Sequence, residues 1–106
     1  MKIIKKVAAA GLGFVLLSSA AFAQSLDDAK KAIDAEQFQK AKSMLKNLTV
    51  TQPSKDENYF YLGWVYIKQE DPDSAKMFFQ KGLNVNQQSA LNLVGLGIVA
   101  RLDKDP

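Results

Sequence analysis

The chain has no cysteine and no histidine among its 106 residues, and only one tryptophan and three prolines. Without cysteine or histidine, the usual zinc ligand sets, Ser-His and Cys-His nucleophile pairs and thiol redox chemistry are excluded within this chain. No disulfide can form, so the fold must rest on packing alone. Phosphate-binding glycine loops are missing too: "GLGF" at 11–14 belongs to an N-terminal apolar segment, and "GLGIV" at 95–99 lies inside a predicted helix. The carboxylates fall at caps, turns and exposed faces, with no paired arrangement suited to acid-base work. Asp71 and Asp73 lack the further ligands and the glycine of a calcium loop. No catalytic residue, metal site or cofactor is therefore expected, and the chain reads as a non-enzyme.

Excess charge is also scarce. Lys and Arg number fourteen against eleven Asp and Glu, and the surplus is Lys2, Lys5 and Lys6 at the start of the chain. Beyond them, "KDENYF" and "EDPDSAK" intersperse both signs, whereas a nucleic-acid surface needs clustered basic residues. Nucleic-acid binding is not expected. The long apolar run required of a membrane span, about 20 residues, is absent as well. The uncharged stretch from Val7 to Leu17 is shorter, follows the three lysines, and leads to the small residues Ala21 and Ala23 around Phe22. This pattern predicts a signal peptide over residues 1–23, cleaved after Ala23, and hence a periplasmic or secreted product with no stable membrane span after cleavage. No cysteine follows the run, so lipid attachment there is excluded.

What the chain does contain is a period. Leu62-Gly63 recurs as Leu96-Gly97, Ala41 as Ala75, Leu45 as Phe79 in size, and Asp71-Pro72 as Asp105-Pro106, each at an offset of 34. Agreement of several pairs at one offset points to repeated supersecondary units. The central unit reads Tyr59-x-x-Leu62-Gly63-x-x-Tyr66, then Ala75-x-x-x-Phe79. It resembles the tetratricopeptide repeat (TPR), a helix-turn-helix with the same period. The resemblance implies an all-α solenoid of about two and a half repeats: roughly 24–55, 56–89 and an incomplete 90–106. Tyr59 replaces the usual tryptophan of the motif, Gln87 stands where proline closes a repeat, Gly82 and Leu48 replace alanine, and Asp28 replaces leucine in the first unit.

Local physics bears on the same assignment. The stretch "YFYLGWVYI" at 59–67 has strand-like composition, but the period favours helix, with Gly63 admitting close approach of a partner helix and Ala75 as the matching small residue. The same small-to-small contact is expected at Gly97. Asp71 is the expected N-cap of a helix opened by Pro72, and Ser25 with Asp28 nearly matches a capping box. Tyr59, Leu62, Gly63 and Tyr66 should face the partner helix, with Phe60, Trp64 and Ile67 on the opposite stripe.

In the family this second stripe lines a concave groove that grips peptides, so the resemblance implies a binding surface of Phe60, Trp64, Ile67, Val94, Ile98 and Arg101. The lysine and asparagine clamp that some members use for a C-terminal carboxylate is absent. A competing reading has these apolar residues packing against neighbouring units. The leading functional expectation is a non-catalytic scaffold or adaptor of the bacterial cell envelope, with a protein or peptide partner. One alternative is the N-terminal repeat region of a larger exported protein with an enzymatic or anchoring domain downstream. Another is a structural oligomer that self-associates through residues 90–102, which are apolar nearly all round.

Overall fold

The computed structural model describes residues 25–104; the expected signal segment and the Asp105-Pro106 pair lie outside them. The described residues form five α-helices and no strand: α1 (Leu26–Asp34), α2 (Phe38–Thr51), α3 (Asp56–Lys68), α4 (Pro72–Val85) and α5 (Ala90–Lys104). The aromatic stretch of 59–67 is helical, inside α3.

Several helix ends have a local reason. At α1, the Ser25 hydroxyl accepts from the Asp28 N–H and the Asp28 carboxylate accepts from the Ser25 N–H, both at 3.2 Å, completing the capping box. Asp71 caps α4 by accepting from the Ser74 N–H at 3.2 Å and the Ser74 hydroxyl at 2.7 Å, with Pro72 in the first turn. The α1–α2 turn places Glu36 at φ 59°, with Gln37 N–H donating to Ala32 O at 2.8 Å and Glu36 N–H to Ile33 O at 2.9 Å. This is the left-handed exit that helices usually assign to glycine. It recurs one period later, with Glu70 at φ 60°, Asp71 N–H donating to Tyr66 O at 2.9 Å and Glu70 N–H to Ile67 O at 3.0 Å. The α2–α3 and α4–α5 turns repeat as well: Gln52 N–H donates to Leu48 O, and Asn86 N–H to Gly82 O.

Two clusters make the core. Ala29, Ala32 and Ile33 of α1 meet Ala41, Met44, Leu45 and Leu48 of α2 and Leu62 and Val65 of α3; Ala75 and Phe79 of α4 meet Val99 of α5. On α1, Ala29, Ala32 and Ile33 are buried, while Leu26 is half-buried. In α4, Ala75 and Phe79 are fully buried, and Phe78 and Leu83 half-buried. The largest helix–helix interface is α3 with α4.

The structure corrects the expected glycine contacts. The atoms nearest the notch at Gly63 belong to the ring of Phe79: a Cβ on Gly63 would lie 2.5 Å from Phe79 Cε1. A Cβ on Gly95 would lie 2.5 Å from Phe79 Cδ1, so one fully buried ring is seated against the backbones of both α3 and α5. Spacing identifies the helix face but does not say which neighbouring side chain fills it. At Gly97 the expected small-to-small contact is not found among the described residues, none of which lies within 4 Å of a Cβ built there.

Two buried asparagines, one period apart, tie the helices together. Asn58 Nδ2 donates to Gln52 O at 3.2 Å and to Leu48 O at 3.4 Å, satisfying carbonyls at the end of α2. Asn92 Nδ2 donates to Asp56 O at 3.1 Å and Ser89 Oγ at 2.9 Å, and its side chain lies directly on Gly82, which has no Cβ to obstruct it. Asn92 Oδ1 has no partner among the described residues.

Candidate functional site

The candidate surface comes from α1, α3 and α5, which carry residues at four matching positions of the period. Leu26, Phe60 and Val94 form one set; Lys30, Trp64 and Ile98 the next; then Ile33, Ile67 and Arg101; then Asp34, Lys68 and Leu102. Such positions lie near one another on a helix, since their spacings are close to i, i+4, i+7 and i+8.

The six expected residues sit in different surroundings. Phe60 and Ile67 are half-buried against the Ala75, Phe79 and Val99 cluster, and the Phe60 ring centroid is 5.7 Å from that of Phe79. One side of each is therefore core. Trp64 is half-buried against the α1–α2–α3 cluster. On α5, Ile98 is half-buried, Arg101 exposed, and Val94 57% exposed.

On this surface, hollows flank Trp64. On one side of it a cavity of about 210 Å³ is lined by Lys30, Ile33, Asp34 and Tyr61; on the other, one of about 320 Å³ is lined by Ile33, Asp34, Glu36, Phe38 and Lys68. Lys68 Nζ stands 5.0 Å from the Trp64 ring centroid and Lys30 Nζ 4.7 Å from that of Tyr61, within cation–π range. Aromatic faces, an isoleucine and charges of both signs at the rim suit an apolar side chain flanked by polar ones. The smaller cavity falls below the roughly 300–1,000 Å³ of small-molecule sites. Nothing among its lining residues is a nucleophile activated by a base.

Sequence reasoning named Trp64 but missed Lys30, Ile33, Asp34 and Tyr61. The first three stand one period before Trp64, Ile67 and Lys68, so the repeat pointed to them. Chemistry hid Lys30 and Asp34, since a lysine and an aspartate do not continue an apolar stripe.

Among the described residues, no three potential metal ligands group together, and no helix is long and apolar enough to cross a membrane. No protein-family model matches the chain, and the curated proteins compared with it include no match.

Proposed function

We propose that the chain is a TPR-type helical repeat protein exported to the bacterial envelope, where it binds a protein or peptide partner without catalysis of its own. The observation that carries this reading is the Trp64 site: a half-buried aromatic between two hollows, at a position the period repeats on α1 and α5. An extended segment could lay one apolar side chain beside Trp64 and Ile33 and set polar groups against Lys30, Asp34 and Lys68. The turn bonds repeated at the same offset support the TPR assignment, and the lysines before the apolar run of residues 1–23 support export.

Trp64 is the chain's one tryptophan, so its fluorescence reports this surface directly. Peptides selected for binding from a displayed library should shift Trp64 emission saturably, and Lys30→Ala and Ile33→Ala should weaken them. Selected ligands that leave the emission unchanged and bind those variants normally would refute the assignment. Export is tested by fractionating the expressing cells: a mature protein beginning at Gln24 in the periplasm or medium is expected.

A further inference from the structure

The two hollows beside Trp64 differ in charge. The smaller one sets Lys30 against Asp34, and the two cancel. The larger, of about 320 Å³, sets both Asp34 and Glu36 against Lys68 alone, and the rest of its lining is apolar: Ile33, Phe38 and Trp64. It therefore holds one uncompensated negative charge beside two aromatic rings. The chain builds this combination once. One period on, Asp34 is matched by Lys68, Glu36 by Glu70 and Phe38 by Pro72, so the charges cancel and an aromatic is lost.

This chemistry suits an organic cation. Among the described residues no three potential metal ligands group together, and two exposed carboxylates fall short of the oxygen shell that a hard metal ion requires. Cations already pair with the rings on both sides: Lys68 Nζ stands 5.0 Å from the Trp64 centroid and Lys30 Nζ 4.7 Å from that of Tyr61. Between the two basic side chains, a guanidinium fits better than an ammonium. It is planar, stacks on aromatic faces, and presents a fork of N–H donors to carboxylates, whereas an ammonium is a strongly hydrated point charge.

We propose that the hollow of Asp34, Glu36 and Phe38 takes an arginine side chain of the bound peptide, with an apolar side chain of the same peptide in the hollow beside Tyr61. The inference rests on the reading of the Trp64 surface as a peptide site and adds which peptide it prefers. Because the hollows share Ile33, Asp34 and Trp64, their occupants leave one face of an extended segment, two residues apart. The preferred ligand thus has an arginine and an apolar residue separated by one position.

Peptides selected on the full chain from a displayed library are resynthesised with a fluorescent label and titrated by anisotropy. Each is compared with a version carrying citrulline, the neutral isostere, in place of arginine. Ligands that shift Trp64 emission should be enriched in the arginine pattern, and citrulline should weaken them about fivefold, the scale of an exposed ion pair joined by a cation–π contact. In the Asp34→Asn, Glu36→Gln double variant, whose two positions are exposed and whose thermal melt should match the parent, that loss should largely vanish. Asp34→Lys, which gives α1 the residue α3 carries one period later, should weaken the arginine peptides and favour their glutamate versions. Peptides that report on Trp64 without arginine enrichment, or a citrulline loss that persists in the double variant, would overturn the inference and leave the peptide site standing. Selected peptides that never engage Trp64 would overturn both.

Discussion

Alanine introduced at Gly63 and at Gly97 should act with opposite signs, although the two residues occupy the same place in the period. Replacing glycine by alanine inside a helix gains about 1 kcal/mol in propensity at either site. At Gly97 no described residue opposes the gain, because the new methyl group meets none of their atoms within 4 Å. At Gly63 it would lie 2.5 to 2.9 Å from three carbons of the Phe79 ring. That ring is fully buried and seated against the backbone of Gly95, where a Cβ would also lie 2.5 Å from it, so it has little room to retreat. Overpacking of this kind costs about 1–3 kcal/mol, which leaves Gly63→Ala destabilised by up to about 2 kcal/mol after the propensity gain. For a domain of this size each kcal/mol moves the melting temperature by about 4–8 °C. Thermal melts followed by far-ultraviolet circular dichroism should place Gly63→Ala below the parent chain and Gly97→Ala above it. Adding Phe79→Leu should cost less in the Gly63→Ala background than in the parent, since the two changes share one contact. If both alanine variants move the same way, the assignment of Phe79 to the Gly63 notch is wrong.

Glu70→Gly should stabilise the chain by up to about 1 kcal/mol, because Glu70 holds φ 60° at a helix exit where glycine carries no Cβ penalty; a Val there should lower the urea midpoint instead. Asn92→Ala removes two donated hydrogen bonds while relieving the unpartnered Oδ1, a net loss of about 1 kcal/mol by chemical denaturation. Asp71 should give acid sensitivity: its hydrogen bonds from the Ser74 hydroxyl and then the Ser74 N–H, with a smaller contribution from Lys42, hold its pKa below the ordinary 3.8. A depressed carboxylate contributes stability that is complete above the unfolded pKa and lost as pH falls through the folded one. The gap in melting temperature between the parent and Asp71→Asn should therefore narrow below about pH 4, and a constant gap would contradict the cap.

The helices and their joints were legible because their signals are local. Ser25 with Asp28, and Asp71 with Pro72, announce helix starts in any context, and each is found capping one. The helical state of 59–67 was legible only through the period, since its composition favours a strand. Glu36 and Glu70 were hidden for the opposite reason. They match at the repeat offset, but a glutamate does not advertise a left-handed turn. Asn58 and Asn92 match as well, and were overlooked because buried polar residues interrupt the apolar stripes by which faces are recognised. Pairing across helices was the least legible: the face of Gly63 was evident, but whether Ala75 or Phe79 fills it depends on how the helices sit on one another.

The shape of the Trp64 site depends on the same positions. Tyr61 and Gly95 stand one period apart, on α3 and α5. Gly95 presents no side chain, so α5 rests its backbone on the Phe79 ring and packs directly against α3. Tyr61 presents a large ring toward α1, with Lys30 over it, and the direct contact between α1 and α3 is the slightest of any helix pair in contact. The hollow lined by Tyr61, Lys30, Ile33 and Asp34 opens in that gap. One position thus holds a glycine where two first helices close together and a tyrosine where they stand apart, and the polar side chains of α1 occupy the open half. A partner that enters beside Trp64 meets a cleft propped by Tyr61, so affinity there need not be spent on separating helices that are already apart.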